Sequence, residues 1–303
     1  MTDDQARIER SGERLVAANG IEHCVECFGD SGEPALLLIA NTMLDWPSEL
    51  CEALAAQGRA VIRYDLRDTG RSTRLDPLDP GHSLRDLASD AAGLLAAVGI
   101  ERADVAGFGS GGWIAQILAL DHPERVRSLT LVAARAVAPG SVDDDLPDHD
   151  PDFMRELMRA SPPEDWTDRD AVVDHLTRGA LLMAGSETSE AEARRSVAAV
   201  YERTEASLRP GLDRGSMHLS DQLAYGFSKL DCKPRWRERL GEIDVPALVV
   251  HGTEDPFFPL GNGEALAREI RGADLLALDG VGNALPARSH ERFCGAMLTL
   301  RNR

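Results

Sequence analysis

Short apolar runs recur along the chain, each closed by turn-forming residues. Ala35–Ala40, Ala60–Tyr64, Ala103–Phe108 and Ser128–Ala133 come early, and Val245–His251 comes much later. Apolar runs of this length, alternating with helical patterns, predict strands of a parallel sheet. Ile21–Phe28 alternates apolar and polar positions and reads as a further strand. Between the second and third runs, Leu84, Leu87, Ala91, Leu94, Leu95 and Val98 share one helical face. Ser83, with Asp86 three residues on, predicts the N-cap of that helix, and Gly99 its end. A second helix is predicted from Ser110 to Asp121, stopping before Pro123. Strand–helix–strand units in series place the fold in the α/β class, as a mostly parallel, doubly wound sheet.

The pattern changes between about Val137 and Lys233. Strand-like runs vanish there, and helical stretches take their place at Phe153–Arg159, Arg169–Ala184 and Ala191–Leu208. The strand pattern returns at Val245, so the helical part reads as a cap inserted into one sheet. The predicted division is an α/β core of residues 1–137 and 233–303 and a helical cap of residues 138–232. Where the cap begins, Ser141–Asp152 holds six Asp and reads as a solvated loop. Its spacing lacks the order of an EF-hand and the closing Glu, so it is not read as a calcium site.

Length and charge narrow the functions. A chain of 303 residues buries a full core without staples. Its 33 basic and 51 acidic residues give a net charge of −18, which repels phosphate backbones and anionic lipid. That argues against nucleic-acid and membrane partners. No apolar run reaches the roughly 18–20 residues that span a bilayer. The N-terminal segment lacks the basic and apolar regions of a signal peptide. The five Cys are scattered, as in a reduced, cytoplasmic protein. Cys24 and Cys27 form a CxxC, but residues at that spacing on a strand point to opposite faces, and no second pair completes a zinc site.

Four segments carry the chemistry. DLRDTGRS, from Asp65 to Ser72, follows the second apolar run, and Trp46 and Pro47 follow the first. GTEDP, from Gly252 to Pro256, follows the last run, and LDGVG runs from Leu278 to Gly282. Together they resemble the α/β-hydrolase fold family, with its D-x-R-G-x-G-x-S turn, its acid loop and the approach to its histidine loop. The stretch from Val61 to Thr73 is most similar to the branch containing aclacinomycin methylesterases, which act on anthracycline-type polyketides. The resemblance covers about residues 20–137 and 240–300. It implies an α/β-hydrolase fold with an inserted helical cap.

In that family the mechanism needs a serine at the centre of G-x-S-x-G, a histidine to take its proton and an acid to orient the histidine. This chain reads GFGSGG from Gly107 to Gly112, so Gly109 stands at the nucleophile position. Asn283 stands where the histidine is expected, and only the acid, Asp255, is in place. The loop from Ala40 to Thr42 also lacks the usual His-Gly pair. Ser110 reads as a helix-opening serine, its hydroxyl directed away from the apex. The superficial GxGxxG here is a degenerate elbow: no acidic residue ends the next strand, so no nicotinamide cofactor is expected. Among the eight His, His251 reads as buried scaffold and His290 lies too far along, leaving His218 as the one that could face the pocket from the cap. No HExxH or Cys/His cluster points to a metal.

The pocket is expected between the strand ends and the cap. Its predicted lining is Asn41, Thr42, Phe108, Gly109, Ser110, Trp166, Tyr225, Phe257 and Asn283, with Asp255 and His218 as candidate acid or base. The N–H groups of Thr42 and Ser110 are the expected oxyanion donors. Asp255, lacking an imidazole, is expected either to titrate high and transfer protons or merely to hold the Asn283 amide and its own loop. Three functions follow. The first is a non-hydrolytic, cofactor-free enzyme on a polycyclic, aromatic polyketide-like substrate, by cyclisation or Michael-type C–C bond formation through a stabilised enolate. The second is a silent pocket that binds a small molecule, and the third a residual hydrolase using water activated by Asp255. No cofactor is expected, and the assembly is expected to be a monomer or homodimer.

Overall fold

The computed structural model describes residues 11–76 and 79–301. The leader reading above rests in part on residues 1–10, which lie outside the described residues. Eight strands form one sheet: β1 (Ser11–Ala18), β2 (Ile21–Phe28), β3 (Ala35–Ile39), β4 (Ala60–Tyr64), β5 (Ala103–Phe108), β6 (Val126–Val132), β7 (Ala247–Gly252) and β8 (Asp274–Leu278). Their order is β1-β2-β4-β3-β5-β6-β7-β8. β1 pairs antiparallel with β2 and β2 with β4, and the other neighbours run parallel.

The predicted runs become the centre of this sheet, and every residue of β3, β4 and β7 is buried. Burial on both faces explains why they read as continuous apolar runs and not as alternation. One face is covered by α2 (Leu84–Ala97), α3 (Ser110–Asp121) and α8 (Gly261–Glu269). The other is covered by α1 (Ser48–Ala55) and α9 (His290–Arg301). Ser83 caps α2 as its sequence predicts: its Oγ accepts the Asp86 N–H at 3.2 Å, and its own N–H donates to the Asp86 carboxylate at 2.7 Å. β1 and β8 escaped the sequence reading because they are edge strands. β8, DLLAL, is largely solvent-facing and carries no clean run.

Between β6 and β7 come α4 (Pro151–Arg159), α5 (Arg169–Ala184), α6 (Glu190–Glu205) and α7 (Arg214–Leu223), which together we call the cap. Sequence reading missed α7. Its buried positions are Gly215, Met217, His218, Ser220 and Asp221, so its inner face is mostly polar and a single Met makes no apolar stripe. These polar groups bolt the cap to the sheet. Arg203 of α6 pairs with the buried Asp65 at 2.5 Å, and Arg74 pairs with Asp221 of α7 at 2.5 Å. The acidic loop before α4 is also tied down and not simply solvated. Asp143 accepts from both Arg235 and Arg237, and Asp145 from Arg237 at 2.6 Å.

Cys24 and Cys27 lie within β2, both buried, and burial pushes their thiols up to about 12 and about 11. Neither is a thiolate at neutral pH. Among the described residues no helix is long and apolar enough to cross a membrane.

Candidate active site

The site begins where β5 ends. The chain reverses at Gly109, with φ 56° and ψ −118°, and enters α3 at Ser110. This backbone region is nearly closed to residues with a side chain. It is held from both sides, since the Gly109 N–H donates to the Val132 carbonyl at 2.9 Å and its carbonyl accepts the Gly112 N–H at 3.0 Å. A Cβ built on Gly109 would meet nothing within 4 Å, so open space lies before it. Two residues on the situation reverses, because a Cβ on Gly111 would fall 2.1 Å from the Ile39 carbonyl. The first turn of α3 is thus pressed onto the end of β3. Ser110, half-buried, is the first helical residue, and its N–H belongs to the helix-opening set that no carbonyl of the helix can satisfy.

Asp255 sits on the loop after β7 and is 4% exposed. Its Oδ1 accepts the N–H groups of Phe257 at 2.9 Å and Phe258 at 2.8 Å. Its Oδ2 accepts Asn283 Nδ2 at 2.9 Å. These donors favour the carboxylate, yet burial outweighs them and pushes the pKa up to about 7. The raised pKa fits the sequence expectation, while the hydrogen bonds match the holding role weighed there. Behind Asp255 lies His251, whose Nε2 is 2.6 Å from the Phe258 carbonyl and 3.5 Å from Asp255 Oδ2. A carbonyl partner requires the proton on Nε2, and burial lowers the ring's pKa, so His251 is neutral. Sequence reading took it for scaffold and missed its contact with Asp255. A strand end turning into an irregular loop has no period from which that contact could be read.

Asn283 is fixed from the cap. Its N–H donates to the Met183 carbonyl at 2.7 Å and that of Gly282 to Ala184 at 2.9 Å, so the last carbonyls of α5 are satisfied by this loop. The loop after β3 is fixed likewise. Asn41 Nδ2 donates to the carbonyls of Ser220 at 2.8 Å and Asp221 at 2.6 Å, both on α7. Here one expectation is corrected. The Thr42 N–H is not an uncommitted oxyanion donor, because it donates to Asp45 Oδ2 at 2.8 Å. Burial pushes the Asp45 carboxyl up to about 7. Of the two expected oxyanion donors, the Ser110 N–H is the one left as a candidate. Asn41 Oδ1 is buried without a partner among the described residues, whereas the Thr42 side chain faces the Asp45 carboxyl in the same capping box.

The other expected lining residues divide. Phe108 is half-buried against Trp46, at 6.2 Å between ring centroids, and Phe257 stacks on His149 at 4.4 Å. His218 goes elsewhere. Its ring is sandwiched between Tyr201 at 4.6 Å and Trp166 at 5.9 Å, with Nε2 2.8 Å from Glu205. Burial pulls its pKa down despite Glu205. His218 and Trp166 therefore belong to the interior of the cap, and the acid–base role expected of His218 is corrected to a packing one. The polar, stacked face of α7 gave no signal of this in sequence. The side chain of Tyr225 lies outside the described residues.

The Asp65–Ser72 segment proves to be a joint. Asp65 accepts the N–H groups of Met43 at 3.0 Å and Arg71 at 2.8 Å as well as the Arg203 guanidinium, so it ties the β3 loop, its own turn and α6 together. Among the described residues no group of three or more His, Cys, Asp or Glu is placed to hold a metal ion.

A family model described as alpha/beta hydrolase fold matches residues 27–284. Rhodomycin D methylesterase DnrP of Streptomyces peucetius is 30% identical over 299 residues, covering 94% of this chain and 96% of the relative. Rhodomycin D methylesterase DauP of Streptomyces sp. (strain C5) is 31% identical, with the same coverage of 94% and 96%. Among solved structures, the esterase RhEst1 from Rhodococcus sp. ECU1013 superposes with a TM-score of 0.71 at 20% identity, covering 95% of this chain and 97% of that one.

Proposed function

The chain belongs to the α/β hydrolase fold family, and on that premise we propose that it is a non-hydrolytic, cofactor-free enzyme acting on a polycyclic, aromatic polyketide-like substrate. Gly109 carries this reading. The backbone of a nucleophile elbow is present at φ 56° and ψ −118°, and no hydroxyl stands on it. The second support is Asn283, whose carboxamide holds Asp255 where a hydrolase needs an imidazole. The imidazole that does reach Asp255, His251, is buried and engaged by the Phe258 carbonyl. An acyl-enzyme has neither its nucleophile nor its base here. The substrate class is carried over from relatives named as rhodomycin D methylesterases.

The reaction proposed is a cyclisation or Michael-type C–C bond formation. A proton leaves the carbon beside a carbonyl, the resulting enolate carbon attacks a conjugated acceptor in the same molecule, and a proton returns to the acceptor. The Ser110 N–H supplies the donor for the enolate oxygen. Asn41 Oδ1, unpartnered and buried, supplies a polar anchor that a ligand would satisfy. Asp255 holds the Asn283 amide in one orientation, and its pKa of about 7 lets it take up or release a proton near neutrality. Much of the rate would come from holding two ends of one substrate together.

The test is mass spectrometry of aromatic polyketide methyl esters incubated with the protein. A new product of unchanged mass is the expected result. A product lighter by a methylene would show ester hydrolysis and refute the proposal. Substrate recovered unchanged, but bound one to one, would establish the silent pocket instead.

A further inference from the structure

A second cleft, of about 350 Å³, opens away from Gly109, Asp255 and Asn283, none of which lines it. Its walls are the chain leaving the sheet for the cap, around Val137, and the chain returning, from Phe227 to Trp236. It therefore lies at the hinge of the cap, bounded by both connections. Leu230 supplies apolar surface above the largely buried rings of Phe227 and Trp236, and Ser141 and Ser228 supply hydroxyls.

The charges lining it differ from those of the molecule. The chain carries a net −18 and has two lysines, Lys229 and Lys233, both in this returning segment. Lys233 lines the cleft. Among the described residues no carboxylate pairs with its ammonium. Of the other lining charges, Arg235 is paired with Asp143 and Glu238, and Asp231, which accepts the main-chain N–H of Lys233 at 3.0 Å, places one carboxylate at the rim. A cation beside aromatic and aliphatic walls suits a flat apolar body bearing one negative group, and the volume suits a small ring system.

We propose that this hinge cleft is a second ligand site, separate from the elbow, that takes a small aromatic anion with its charged group on Lys233. The site is packed continuously onto the acid loop. Phe227 meets Trp113 at 6.0 Å between centroids, Trp113 meets Phe258 at 5.9 Å, and the Phe258 N–H holds Asp255 at 2.8 Å. A ligand seated in the cleft would touch both connections of the cap and lie against the rings that lead to Asp255.

The test uses 2-naphthoate as the probe, with neutral 2-naphthamide for comparison, followed by the indole N–H signals of the four tryptophans in ¹H–¹⁵N NMR. Naphthoate is expected to shift Trp236 and Trp113 and to leave Trp46, beside Phe108, and Trp166, inside the cap, unchanged. Lys233→Gln, at an exposed position, is expected to weaken naphthoate about tenfold or more and naphthamide hardly at all. Three results would overturn the proposal: no shift up to millimolar naphthoate, a shift of Trp46 in place of Trp236, or equal affinity in the Lys233→Gln protein. The mass-spectrometric outcome at the elbow does not bear on any of these readings.

Discussion

Restoring a serine and a histidine is the most direct trial of the site's geometry. Gly109→Ser places a hydroxyl on a backbone at φ 56° and ψ −118°. Since a Cβ there meets nothing within 4 Å, the cost is the backbone conformation alone, about 1–3 kcal/mol. Asn283→His replaces an amide donor 2.9 Å from Asp255 Oδ2 by a ring nitrogen at the same loop position. The main chain there is fixed by the Asn283 and Gly282 N–H groups on α5, so the loop should hold. Neither change alone gives an esterase, since serine without imidazole is not activated and imidazole without serine has nothing to activate. The double variant should gain hydrolysis of p-nitrophenyl butyrate at least about 10²-fold above either single variant, because such groups act as a unit. A fluorophosphonate should also label it, at the hydroxyl introduced by Gly109→Ser. The gain is limited by the Thr42 N–H, which Asp45 occupies at 2.8 Å. Adding Asp45→Ala should free that donor and raise the rate a further ~10²–10³-fold. A double variant that is folded by circular dichroism yet neither labels nor hydrolyses would refute the placement of Asn283 at the histidine position.

Three further outcomes follow from the same contacts. Asp255 carries a folded-state pKa of about 7 against an ordinary value near 3.9, so its contribution to stability is complete below about pH 4 and is lost as pH rises through about 7. Asp255→Asn lacks that loss, and urea denaturation should show the variant gaining on the parent between pH 4 and 8 by at most on the order of 4 kcal/mol; an unchanged gap would deny the shift. Arg203→Met strands the buried Asp65 carboxylate and should cost about 3–5 kcal/mol in the same assay, against less than about 1 kcal/mol for an exposed pair such as that of Arg155 and Asp152. Gly111→Ala, whose Cβ would lie 2.1 Å from the Ile39 carbonyl, should fail to give soluble protein, whereas Gly109→Ala should fold with a loss of only about 1–3 kcal/mol.

What was legible in the sequence was whatever burial writes as a pattern. β4 and β5 match their apolar runs end to end, and α3 and α5 match their predicted bounds, because each is set by a stop signal or a change of period. The elbow was legible as well, since GFGSGG demands a turn that only glycine makes easily. Contacts that join distant segments were not. Asp45 reaches back to Thr42 as the third residue of a short turn, and nothing in the letters says that it takes the donor an oxyanion would use. His218 looked available because it lies at the end of the cap, where it could face the pocket, but Tyr201 and Glu205 of α6 and Trp166 of the loop before α5 decided otherwise. α7 was missed for the same reason: its inward face carries the Asp221 carboxylate to meet Arg74, and its Ser220 and Asp221 carbonyls accept from Asn41, contacts that leave no hydrophobic pattern.

The backbone of the elbow follows from its surroundings and not from the residue that occupies it. The Val132 carbonyl, the Gly112 N–H and the close approach of Gly111 to Ile39 fix the turn whether or not a hydroxyl is present. A serine there would sit in a conformation that costs about 1–3 kcal/mol, a cost worth bearing only if the hydroxyl attacks something. With glycine the strain disappears and the space before the turn opens, while the Ser110 N–H still opens the helix. The same logic applies to Asp255. A buried carboxyl needs donors to be tolerated, and Asn283, Phe257 and Phe258 supply three without an imidazole. Gly109 and Asn283 thus leave a relaxed, satisfied scaffold with open space before the turn, and it is this space that the enolate chemistry proposed above would use.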